Sequence, residues 1–166
     1  MKPLLLAIFL LLSPDAHAQP TAWTFAFPID DVNGVMDVAT GSDGNVYVTG
    51  RFTSSLHLGN QLLTSTGVGP CLYIAKCSPG GQVLRVTKME GADDVLPRSI
   101  VVDQAGNSYV TGAFRGTLTY NGNQHITAQS FQGRNDDAFL VKCGPTGRVR
   151  WVSQADGGPV SAPNSC

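Results

Sequence analysis

One seven-residue phrase occurs twice in this chain, and it constrains the fold more than any other feature. Gly44-Asn45-Val46-Tyr47-Val48-Thr49-Gly50 returns as Gly106-Asn107-Ser108-Tyr109-Val110-Thr111-Gly112, 62 residues later and with one mismatch. A second block, Ala75-Lys76-Cys77-Ser78-Pro79-Gly80-Gly81, returns as Val141-Lys142-Cys143-Gly144-Pro145-Thr146-Gly147, 66 residues later. Two blocks recurring in the same order define a repeated structural unit, and periods of this kind mean solenoids, propellers or arrays. The four additional residues of the second unit fall between the blocks, around Gln132 to Asp136. Both units close on an apolar run and a glycine, Gly91 and Gly157.

The chemistry inside each unit is that of antiparallel strands. Val35–Thr40 and Val46–Phe52 are rich in β-branched and aromatic residues, and Gly41-Ser42-Asp43-Gly44 turns the chain between them. Asp43-Gly44 is a strong hairpin signal because glycine takes positive φ without steric cost. A middle hairpin is predicted over Leu56–Leu58 and Leu62–Ser65, turned at Gly59-Asn60. Its counterpart covers Leu118–Tyr120 and His125–Ala128, turned at Asn121-Gly122. The last hairpin joins Leu72–Cys77 to Val83–Lys88 across Ser78-Pro79-Gly80-Gly81. Beyond the N-terminal segment, no stretch keeps a helical apolar stripe without a glycine or proline in it. Nineteen glycines among 166 residues agree with a turn-rich chain. A unit of this size is that of a propeller blade, which needs neighbours to bury both faces. The expected fold is all-β, a partial, open β-propeller of about two antiparallel blades.

Val101-Val102-Asp103, Gly106-Asn107, Tyr109-Val110-Thr111-Gly112, Asp137-Ala138-Phe139-Leu140-Val141-Lys142, Gly147 and Trp151 together resemble the bacterial SBBP β-propeller repeat. The first copy departs from the pattern: Ala39-Thr40 replace its valine and aspartate, and Pro70-Cys71-Leu72 its Asp-Ala-Phe step. Cysteine also follows the lysine in both copies. The resemblance runs from about Val35 to Gly157 and implies an exported, propeller-like fold. Because these repeats are tied to no single activity, it implies no catalytic residues.

Repeat 1 is read as residues 35–91 and repeat 2 as 97–157, with partial repeats at 21–34 and 158–166. Trp23–Phe27 falls on Arg85–Met89, the closing strand of a unit. Pro163–Cys166 falls on Pro97–Ile100, the opening of the next. A closed ring takes 4–8 blades. Two units therefore leave open edges, which invite self-association, and the chain reads as a piece of a longer repeat protein.

Residues 1–18 have the layout of a signal peptide. Lys2 supplies the charge, Leu4–Leu12 an unbroken apolar run, and Ala16-His17-Ala18 the cleavage site before Gln19. Nine apolar residues are far short of the ~20 that span a bilayer. A secreted, periplasmic or extracellular product with no transmembrane span is expected, and export permits disulfides. Cys71, Cys77, Cys143 and Cys166 allow three pairings. Cys71 and Cys77 on one strand lie about 20 Å apart at ~3.3 Å per residue, beyond the ~7 Å bridging limit, so that pair is disfavoured. The alternative is that all four are small buried hydrophobes.

Eleven basic against twelve acidic residues leave no electrostatic footprint for nucleic acid. Catalytic signatures such as G-x-S-x-G, H-E-x-x-H and the phosphate-binding loop are absent. Gly67-Val68-Gly69 lacks the strand-to-helix setting of a dinucleotide loop. His57 and His125 do not align between copies and read as solvated strand residues. The acidic pairs Asp30-Asp31, Asp93-Asp94 and Asp136-Asp137 are the nearest to calcium ligands, but read as strand ends. Asn45 and Asn107 read as turn-closing residues. Trp23 and Trp151 are expected between blades, with carbohydrate stacking as the alternative. No catalytic, cofactor-binding or metal-binding residue is assigned. The leading reading is a non-catalytic binding or scaffold module with a protein or carbohydrate partner. The alternatives are a propeller-type hydrolase or lyase acting on extracellular glycans, and a functionless remnant.

Overall fold

The structure, a computed structural model, describes residues 34–129 and 136–155. The leader, Trp23–Phe27, Asp30-Asp31, Cys166 and the terminal partial repeats lie outside those residues, as does nearly all of the four-residue insertion.

The described residues form twelve strands and no helix: β1 (Gly34–Thr40), β2 (Val46–Phe52), β3 (Ser55–Leu58), β4 (Gln61–Thr64), β5 (Cys71–Cys77), β6 (Val83–Gly91), β7 (Asp94–Val102), β8 (Ser108–Arg115), β9 (Thr117–Tyr120), β10 (Gln124–Thr127), β11 (Asp136–Cys143) and β12 (Val149–Ala155). The all-β expectation holds, in two open antiparallel blades. The first has the order β1-β2-β5-β6 and the second β7-β8-β11-β12, with a hairpin inserted between the second and third strand of each. Every pairing is antiparallel.

Repetition extends to the irregularities. The register of β1 on β2 slips at Met36 and that of β7 on β8 at Arg98, 62 residues apart. The equivalent turns 41–44 and 103–106 carry glycines at φ +74° (Gly44) and +76° (Gly106), a conformation a Cβ would resist. Each is closed by a backbone bond, from Gly44 N to Gly41 O and from Gly106 N to Asp103 O. The hairpin turn at Asn121-Gly122 also has both φ values positive, 47° and 91°, as a tight two-residue reversal requires.

The two inserted hairpins have different fates. β3–β4 stands as its own two-stranded sheet, whereas β9 pairs with the end of β6, placing Thr119 opposite Glu90 and Leu118 opposite Gly91. Ala92 N donates to Thr117 O at 2.8 Å and continues the ladder. The second unit therefore grips the outer edge of the first. Leu118 is fully buried there, a contribution of about 1.5–3 kcal/mol for such a side chain.

Blade-to-blade contact uses side chains of the first blade against backbone of the second. Asp37 accepts from Ile100 N at 2.8 Å. Ser42 donates to Gln104 O at 3.3 Å and Tyr47 OH to Gly106 O at 3.5 Å, while Arg85 and Thr87 donate to Pro145 O and Gly147 O. Beneath these bonds lies one apolar cluster, in which Tyr47, Leu72, Ile74 and Met89 of the first blade cover Ile100, Val110, Phe114, Phe139 and Val141 of the second.

Candidate functional site

Charged side chains gather at one end of the second blade. A cleft of about 100 Å³ is lined by Asp94, Leu96, Arg98, Phe114, Arg115 and Asp136. The pairing of β8 with both β7 and β11 puts Arg115 opposite Asp94 on one side and Asp136 on the other. Asp136 accepts from Arg115 at 2.8 and 2.9 Å, and Asp94 accepts from Arg51 of the first blade at 3.0 Å. Both carboxylates thus have guanidinium partners. A general acid or base needs a carboxylate within reach of the substrate proton, whereas here each carboxylate faces a guanidinium.

The other acids fix loops. Asp137 is buried, 1% exposed, and accepts from Gln129 N at 2.9 Å and Gln154 Nε2 at 2.6 Å. Asp103 accepts from Asn107 through both backbone and side chain, which holds its carboxyl below the usual range; the Asn107 side chain is the largest cause. Asp43 is held down to about 2, chiefly by Lys76 and then by Asn45. Asn45 and Asn107 close their turns, donating through backbone N to these aspartates and accepting from Gly41 N and Asp103 N.

His57 and His125 are exposed on β3 and β10. Gly69 lies against the backbone carbonyls of Gly91 and Ala92, so Gly67-Val68-Gly69 is a packing loop. Among the described residues no group of three or more His, Cys, Asp or Glu could hold a metal, and no helix is long and apolar enough to cross a membrane.

The three described cysteines are free and buried. Cys71 and Cys77 occupy the two ends of β5, the separation that disfavoured their pairing. Burial pushes the Cys143 thiol up to about 12. Burial, then a hydrogen bond to Glu90, pushes Cys71 up to about 11. The Cys71 Sγ–H donates to Glu90 Oε2 at 2.8 Å, and Lys88 holds the other oxygen at 2.5 Å. Burial alone would raise Glu90, but those donors outweigh it and its carboxyl is lowered. Thiols held protonated in this way are poor nucleophiles.

Trp151 requires a correction. It does not pack between the two blades: it meets Tyr109 of its own blade edge-on, with ring centroids 6.3 Å apart, and stays 41% exposed. Lys142 lies 4.9 Å from the Tyr109 ring centre, and Tyr109 OH donates to Asp103 at 3.1 Å. The equivalent trio of the first blade, Tyr47, Lys76 and Arg85, faces the second blade, and Tyr47 is only 4% exposed. Sequence reasoning missed this surface. Its signal was the 66-residue correspondence of Trp151 with Arg85, which puts both on the same side of their blades. No protein-family model matches the chain, and no curated protein matches it.

Proposed function

We propose that this chain is an exported repeat protein of the bacterial SBBP type, acting as a non-catalytic binding or scaffold module. The observation that carries the reading is the face of the second blade with Trp151, Tyr109 and Lys142. The first blade uses the same positions to hold its neighbour, and here they meet solvent. An exposed tryptophan against a half-buried tyrosine, beside a cation, suits a carbohydrate or a protein surface. Open blade edges add a route to self-association. The paired state of Asp94 and Asp136 supports binding over glycan hydrolysis. Export is supported by the leader sequence before Gln19.

The test uses material from a bacterial host expressing the full chain. Mass spectrometry of the exported fraction is expected to give an N-terminus at Gln19. Incubation with soluble extracellular polysaccharides is expected to release no new reducing ends. Release that co-purifies with the chain and vanishes in Asp136→Asn would overturn the non-catalytic reading, and retention of Met1 on cytoplasmic material would overturn export.

A further inference from the structure

We propose that the row Tyr109, Lys142 and Trp151 on the open face of the second blade is a binding site for the uronic acid residues of an acidic polysaccharide. This specifies the ligand of the binding module proposed above and rests on that reading.

The three side chains form one line across the sheet. Lys142 of β11 is the register partner of Tyr109 on β8 and of Trp151 on β12, so neighbouring Cβ atoms in the line stand ~4.5–5.5 Å apart. The first blade has the same line in Tyr47, Lys76 and Arg85, again with the lysine in the middle. Lys76 lies 5.1 Å from the Tyr47 ring centre and Lys142 4.9 Å from that of Tyr109. The two lines share a geometry and differ in their chemistry.

Three differences bear on a ligand. Lys76 is neutralised by Asp43 at 2.8 Å, but the position 62 residues after Asp43 is Ala105, and Lys142 forms no ion pair with any described residue. Tyr47 gives its hydroxyl to the next blade at Gly106 O, whereas Tyr109 gives its own to Asp103 at 3.1 Å. Asp103 stands where the first blade has Gly41 and is itself held by Ala105 N and by both nitrogens of Asn107. It therefore anchors the tyrosine ring. Arg85, which donates to Pro145 O of the neighbouring blade, becomes Trp151, 41% exposed. The last two changes remove groups that reach for another blade and leave an anchored aromatic platform. The first leaves a cation without its anion.

A ligand complementary to this platform carries a negative charge beside an apolar plane. The face of an indole is electron-rich and attracts polarised C–H groups, which a pyranose presents on one side of its ring. A uronic acid attaches a carboxylate to that same ring. Lys142 and Trp151, adjacent across the ladder, offer the two halves of this pattern side by side. The next row on the same face, Thr111, Leu140 and Ser153, adds two exposed hydroxyls suited to those of a sugar. The carboxylate of an acidic peptide side chain supplies the charge without the plane.

Titration of the purified full chain tests this, followed by NMR at the Trp151 indole N–H and the strand amides. The probes are short oligomers of galacturonate and of mannuronate, with their methyl esters as uncharged counterparts. The acids are expected to shift the Trp151 signal and to bind about 5-fold tighter than the esters, the scale of one exposed ion pair. That preference is expected to vanish at ~1 M salt and in Lys142→Gln, and to persist in Lys142→Arg, which keeps the charge. Should Lys142→Gln disturb the strand amides, the salt dependence of the unaltered chain decides. Silence of Trp151 with both acids overturns the proposal. Equal binding of acid and ester overturns it too, while leaving the binding-module reading in place. Equal binding of an oligoglutamate peptide overturns it in favour of a protein partner. A Trp151 signal that moves with protein concentration alone makes a second copy the occupant, with the same consequence. Release of reducing ends from either acid overturns the non-catalytic reading itself, and the proposal with it.

Discussion

The last glycine of the repeated phrase can be tested by adding one methyl group. At Gly112 a Cβ would lie 2.6 and 2.8 Å from two ring atoms of Phe139, and closer still to the backbone oxygen of Leu96. Neither neighbour can yield cheaply. Leu96 O belongs to β7, paired with β8 on both sides of the contact. Phe139 is 3% exposed and held edge-on against Phe114, with centroids 6.2 Å apart. Overpacking of this kind costs about 1–3 kcal/mol, and contact with backbone puts Gly112→Ala at the upper end. The smaller entropy of the unfolded alanine chain returns about 0.4–1 kcal/mol, leaving a net loss of about 2 kcal/mol. In urea unfolding of the purified chain the midpoint is expected to fall with the slope unchanged. Gly34→Ala is the control, since nothing lies within 4 Å of its added methyl; it is expected within about 0.5 kcal/mol of the parent, as for surface changes generally. A Gly112→Ala midpoint indistinguishable from the parent would refute the reasoning, as would an equal loss in both variants.

Two further outcomes follow from the site geometry. Asp137→Ala takes the acceptor from the Gln129 N–H and leaves the Gln154 amide with Thr127 O alone, and is expected to cost about 1–3 kcal/mol, whereas Arg115→Ala breaks an ion pair 47% and 58% exposed and is expected to cost about 0–1 kcal/mol; calorimetric melting of both variants gives the ranking, which reversal would contradict. Cys71 and Cys143, pushed up to about 11 and 12 from an ordinary 9, favour the folded chain fully below pH 9, and that contribution is lost as the pH rises toward those values. Native protein at pH 8 is expected to leave both thiols unmodified by iodoacetamide, with labelling at these sites only after denaturation; rapid labelling of Cys143 in folded protein would contradict its burial.

Strand positions were legible because side-chain period and turn chemistry are local. β2 matches its predicted span, Val46–Phe52, and the other strands for which a span was predicted differ at their ends by up to three residues, the largest difference being β6, which continues past Lys88 to Gly91. The continuation is the part that β9 pairs with. Such pairing runs through backbone groups that every residue carries, so no residue pattern announced where the second hairpin would go. Trp151 was misplaced for a related reason. An aromatic residue at a blade position reads as interface, and whether a neighbour covers it depends on what stands beyond the blade. Asp94 and Asp136 stand at the starts of β7 and β11, but their arginine partners come from β2 and β8, a proximity set by the sheet and not by spacing along the chain.

The grip of β9 on β6 also has a consequence for how the chain is made. Synthesis proceeds from the N-terminus, and domains begin to fold in that order. By the time Thr117 to Tyr120 leave the ribosome, the strand that receives them has already been produced. The hairpin thus meets a finished strand end and clamps it at Glu90, Gly91 and Ala92, so in such an array each unit would fasten the exit of the one made before it.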